Sequence, residues 1–198
     1  MATSDWLNII GLTLTSVAFL VGLFQYRQAQ RWQALQFISN EMREFFANKD
    51  VRNVLLMLDV NQRPIDFTVQ AEGEERLKTV IISDEMIISA LRTPQMRQGN
   101  PITTEDGLIR DVFHTFFNHL ARFANYSEAS QVIKYNDLHP FLAYWLEILT
   151  NKSGKRKSSE FADAIIKYLE YYEYNSVLRM FERYKNIKKQ KMVISSLK

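Results

Sequence analysis

The chain has no cysteine among its 198 residues. That excludes a disulfide framework, a thiolate zinc site and a cysteine nucleophile, and it agrees with a reducing compartment. Glycine and proline are scarce as well, at six and four, which argues against disorder and against turn-rich β architectures. The glycines are scattered, and none opens a phosphate loop, a dinucleotide fingerprint or a nucleophile elbow. Metal-binding patterns are missing too. Asp111 and His114 stand at i and i+3, but no Glu-x-x-His, His-Glu-x-x-His or acidic calcium loop supplies further ligands. The sequence thus gives no reason to expect a metal or a cofactor.

A fourth scarcity is local. From Trp6 to Tyr26 no residue carries a charge, a run of 21. At 1.5 Å per helical residue this covers the roughly 30 Å hydrocarbon core of a bilayer, with aromatic residues at both interfaces. A cleaved signal peptide would start basic and end at small residues; this run follows Asp5 and leads into Gln25, Tyr26 and Arg27. A buried core helix rarely stays uncharged for six turns and then turns abruptly basic. The sequence therefore predicts one transmembrane helix over 6–26 after a short extracytoplasmic tail, 1–5. Arg27 and Arg31 follow the span, and no Lys or Arg precedes it. The positive-inside rule then sets the N-terminus outside and the rest in the cytoplasm, a single-pass protein of the inner (plasma) membrane.

Read with a 3.5-residue period, Asn8, Gly11, Thr15, Ala18, Gly22 and Gln25 fall on one stripe of small or polar residues. Helices in lipid associate by close backbone approach and by hydrogen bonds, so the stripe predicts a homo-oligomer seam. In a ring of copies Asn8, Thr15 and Gln25 would face a lumen, which raises the prospect of a pore. The period runs on through Ala29, Trp32 and Gln36, with no glycine or proline before Phe46. The span and the juxtamembrane helical segment, 27–58, are expected to form one continuous rod.

Beyond Asp59 lies the predicted cytoplasmic domain, 59–198. Val60–Gly73 contains Pro64 and shows no helical period, so it reads as a loop or short extended piece; Thr93–Thr104 is a second breaker. The clearest helix follows. Thr103 and Asp106 are spaced like a capping box, and Leu108, Ile109, Val112, Phe113, Phe116, Phe117, Leu120 and Phe123 share one face. Asp137 reads as the N-cap of the next helix, Ser158 or Ser159 as the cap of a helix toward Tyr174, and Asn175 as the cap of the last. The fold class is all-α: a transmembrane helix continuing into an irregular helical bundle.

The net charge of +3 hides an asymmetry, because residues 151–198 hold 12 Lys/Arg against 5 Asp/Glu. The tracts 152–157 and 185–191, with Arg27 and Arg31, are candidates for contact with anionic lipid or nucleic-acid phosphates, through Lys155, Arg156, Lys157, Lys188, Lys189 and Lys191. Tyr168, Tyr171, Tyr172 and Tyr174 have helical spacing that favours packing over base stacking. Opposite the aromatic stripe, Arg110, His114, Asn118 and Arg122 form an i+4 ridge. Arg110 and His114 are the only candidates for catalysis. The pair resembles the Arg–His motif of the helical HEPN ribonucleases, where the His assists proton transfer during 2′-OH attack, although the family's motif has a longer interval than the three residues here.

Ile109–Leu149, with Arg110-Asp111-Val112-Phe113, Leu120-Ala121-Arg122-Phe123 and Pro140-Phe141-Leu142-Ala143-Tyr144-Trp145, resembles a group of uncharacterised bacterial single-span proteins. The resemblance implies the anchor-plus-helical-domain layout and no particular activity. In layout alone the chain is similar to the membrane accessory proteins of type VI-B CRISPR systems, which join a span, a HEPN-like domain and a ring-shaped pore. The expectation is a membrane-anchored, homo-oligomeric, non-enzymatic module that binds a protein partner or anionic ligand, with a role in stress or phage defence. A membrane-tethered ribonuclease using Arg110 and His114 and a simple anchored scaffold are the alternatives.

Overall fold

The computed structural model describes residues 3–71, 74–97, 99, 101–130, 133–151 and 156–196, with side chains left out for residues 3–5, 7–9, 71 and 191–196. It opens with α1, Thr3–Ala47, one helix of 45 residues, about 68 Å long at 1.5 Å per residue. The uncharged run and residues 27–47 form one rod, while the rest of 27–58 belongs to a second helix. Among the described side chains up to Ala29, none is buried against the rest of the molecule. Further along, Ile38, Met42 and Phe45 are buried at i, i+4 and i+7 and seat the second half of α1 on the bundle.

Asn48 ends the rod. Its side chain accepts hydrogen bonds from the N–H groups of Asp50 and Val51 and so caps α2, Lys49–Asp59. The antiparallel strands β1, Arg63–Ala71, and β2, Glu74–Ile82, come next. The molecule is mostly helical, broadly in line with the all-α expectation, and this hairpin adds a small two-stranded sheet. Only part of 60–73 behaves as a loop, because Ile65 and Phe67, two residues apart, turn inward together with Ile82. The extended piece expected there is β1, and alternation marks its inward face.

Two short helices, α3 (Asp84–Ala90) and α4 (Pro94–Arg97), lead to α5, Thr104–Ala129. The second of the predicted breakers thus holds one turn of helix. α5 is the central helix, as its aromatic stripe predicts: Ile109, Phe113, Phe116 and Phe117 are each 0% exposed. Phe45 of α1 packs against Phe116 and Phe123 at ring-centroid distances of 5.8 and 5.3 Å, and Tyr168 packs against Phe117 at 5.7 Å. The remaining helices, α6 (Tyr135–Thr150), α7 (Ser159–Tyr171) and α8 (Asn175–Ser196), complete the bundle around α5.

The caps follow the sequence in part. Thr103 accepts from the N–H of Asp106 at 3.0 Å and Ser158 from that of Phe161 at 3.1 Å. Asp106 does not complete a capping box; its carboxylate faces Arg97 at 3.4 Å in the interior. Asp137 is not an N-cap. The helix starts two residues earlier because Tyr135 is buried in its first turn, and Asp137 reaches back from the third position to accept the N–H of Lys134 at 2.8 Å. Asn175 is the first residue of α8 and not its cap. α7 ends at Tyr171, and Glu173 takes a left-handed φ of 56°. The Tyr174 N–H returns to the Leu169 carbonyl at 2.9 Å and the Glu173 N–H to that of Glu170 at 3.2 Å, the paired bonds of a Schellman ending.

Candidate functional sites along the first helix and on the core helix

The first half of α1 presents apolar side chains on every face. Trp6 is 58% exposed, Leu14 65%, Phe19 69% and Phe24 68%. Moving one such side chain out of water is worth about 1.5–3 kcal/mol. α1 is a helix long and apolar enough to cross a membrane. Two of its hydroxyls are bonded within the helix: Thr15 donates to the Gly11 carbonyl at 2.9 Å and Ser16 to that of Leu12 at 2.8 Å. On the small-residue stripe Thr15, Ala18, Gly22 and Gln25 are exposed, and a Cβ added at Gly11 or Gly22 would meet nothing within 4 Å. The Asn8 side chain lies outside the described residues.

Several residues expected to contact phosphates have carboxylate partners within the chain, and of these Lys157 is buried. Arg31 forms a bidentate pair with the Asp137 carboxylate, one arm at 2.7 Å, and ties α1 to the start of α6. That guanidinium, ahead of the Lys134 N–H, holds Asp137 below the usual carboxylate range against the opposing effect of burial. Lys157 is 4% exposed, and its Nζ donates to Asp84 at 2.5 Å and to the Met57 carbonyl at 2.8 Å. It is a buried strut, because the loop after α6 folds back over α2 and α3. Arg156 pairs with Asp59 at 2.8 Å and lies over the Tyr144 ring. Lys188 pairs with Glu147 at 2.6 Å. Arg27 and Lys189 remain exposed. Lys155 and the Lys191 side chain lie outside the described residues.

The ridge on α5 is divided among three neighbours. Arg110 donates to the carbonyls of Ala90 and Arg92 at 3.0 and 3.1 Å, meets the Tyr172 hydroxyl, and lies over the rings of Tyr168 and Tyr172. Arg97 donates to the Ala90 and Ser89 carbonyls at 3.1 and 3.0 Å. Together these arginines close the C-terminal end of α3, whose own last turn has no basic residue. His114 instead shares the Tyr174 hydroxyl with Asn118, each at 2.9 Å. Arg122 reaches Glu41 of α1 at 2.9 Å and His119 Nδ1 at 3.3 Å. Arg110 and His114 therefore share a helix face but no common partner, and the Arg110 guanidinium is committed to backbone carbonyls.

Sequence reasoning passed over the long-range pairs Arg31–Asp137 and Lys157–Asp84, which join residues 106 and 73 positions apart. No local spacing announces such pairs. Among the described residues no cluster of three His, Asp or Glu could hold a metal ion. Comparison with known proteins leaves the family open: no family model, curated protein or solved structure matches the chain.

Proposed function

We propose that this chain is a single-span membrane protein, N-terminus out, whose cytoplasmic helical domain acts as a non-enzymatic binding module in an oligomer held together by the span. The observation that supports the reading best is the first half of α1: an uncharged helix, joined without a break to the bundle, with large apolar side chains exposed all round. A soluble partner would have to surround such a helix, whereas lipid does so by default. Arg27 stands where the span would end, and the Arg31–Asp137 pair fixes the bundle directly behind it.

The stripe of Gly11, Thr15, Ala18, Gly22 and Gln25 supports self-association, with Asn8 as its outermost member. Because the Thr15 hydroxyl is already spent within the helix, close packing at the glycines, more than hydrogen bonding, is the force to test. Gly11→Leu/Gly22→Leu suits the purpose, since neither position has a neighbour within the chain for the new side chain to strike. Light scattering of the full chain in mild detergent is expected to give a defined oligomer that the double variant loses. A monomer in both would reduce α1 to a plain anchor. The ribonuclease reading gains no support from Arg110, whose hydrogen bonds go to Ala90, Arg92 and Tyr172.

A further inference from the structure

Lys134, Tyr135 and Asn136 at the start of α6 face Arg183, Asn186 and Gln190 of α8 across an open cleft of about 360 Å³. Two cations, three amides, one phenol and the apolar Ile187 line it, and no carboxylate does among the described residues. The phenol is the informative member. Tyr135 is 9% exposed, yet its hydroxyl has no hydrogen-bond partner among the described residues, a condition that costs about 1–3 kcal/mol in a buried group. Burial pushes this hydroxyl up to about 12 while Arg183 pulls it down, so the guanidinium lies close enough to act on it. Of the acids around it, Asp137 is paired with Arg31 and bound to the Lys134 N–H, and Glu128, which feels Arg183, is paired with Arg179. The cleft is therefore left positive, with an unused donor at its wall.

We propose that this cleft binds a phosphate group, with Arg183 and Lys134 supplying charge, the Tyr135 hydroxyl a buried donor and the amides the rim. The inference rests on the membrane reading for its ligand source. Arg31, which holds the start of α6, lies five residues past Tyr26, or about 7–8 Å along the helix. That is within the depth of the headgroup layer, which adds roughly 5–8 Å on each side of the hydrocarbon core. A phosphate on a lipid headgroup and one free in solution have the same chemistry for this site, and the test separates them.

The full-length protein in a neutral maltoside detergent is titrated calorimetrically with dihexanoyl phosphatidic acid, dihexanoyl phosphatidylcholine and inorganic phosphate. Saturable binding of phosphatidic acid or phosphate is expected, weakened about tenfold in Arg183→Gln through loss of a charged hydrogen bond. Tyr135→Phe should weaken it several-fold without lowering the melting temperature, because no internal bond is lost. Tighter binding of phosphatidic acid than of phosphate identifies the lipid source, and equal binding the soluble one. Equal heats from phosphatidic acid and phosphatidylcholine, no saturation by any probe, or unchanged affinity in both variants would overturn the proposal. So would binding of a short RNA with none of either phosphate probe. Because the titration needs no bilayer, failure of the cleft and failure of the anchor are distinguishable: a protein that stays soluble and monodisperse without detergent refutes the anchor alone.

Discussion

Asp137 ties two helices with one carboxylate: it accepts the Lys134 N–H that begins α6 and pairs with Arg31 on α1. Its pKa is depressed in the folded chain, so its stabilising contribution is present above the ordinary value of 3.8 and is lost as pH falls through the folded value. His119 is depressed as well, by burial first and by Arg122 second. Its neutral form is the folded form, and stability should therefore decline as pH drops below 6.5, the ordinary value. Melting curves between pH 7 and 5 should slope downward in the wild type and be flatter in His119→Gln; equal slopes would show that His119 is not linked to folding. Glu173 is a second residue-scale case. Its left-handed φ of 56° at the α7–α8 turn suits glycine, and Glu173→Gly should stabilise the protein by about 0.5–1 kcal/mol in denaturant titrations.

Among the elements, α3 is seven residues long, too short to stand alone, and is held from both ends. Arg97 and Arg110 close its carbonyl end, and Lys157 pairs with Asp84 at its first turn. Removing one partner of a buried pair leaves the other uncompensated, so Lys157→Met should cost about 2–4 kcal/mol by chemical denaturation, softened because Asp84 lies at a helix N-terminus. A loss below half a kcal/mol would return Lys157 to the surface role its sequence context suggests. The helices were legible where an apolar stripe was long: α5 was readable from Phe113, Phe116, Phe117 and Phe123, and the continuity of α1 from the lack of breakers before Phe46. An extended piece within 60–73 is legible from Pro64 and the lack of a helical period, but its pairing with 74–82 is not, because strand pairing depends on contacts that no local spacing announces. The burial of Lys157 is not legible in the basic tract 152–157. Charge runs are usually solvated, and only the tertiary return of the chain over α2 buries Lys157.

At the scale of the whole molecule, a long rod, apolar in its first half, is joined to a bundle that also grips it at Arg31–Asp137, just beyond the uncharged run. A rod continuous from Thr3 to Ala47 can carry a rotation or tilt from one end to the other, provided its two halves lie in the environments proposed. The absence of cysteine makes those environments directly measurable, since any introduced thiol is unique. The decisive measurement is labelling of Thr3→Cys and Lys189→Cys in the full chain by a membrane-impermeant maleimide, in spheroplasts and after lysis, with carbonate extraction alongside. The account predicts that both variants stay in the membrane pellet, that the thiol at position 3 is labelled in intact spheroplasts, and that the thiol at 189 is labelled only after lysis. Release of the protein into the carbonate supernatant, or labelling of position 189 from outside, would contradict it.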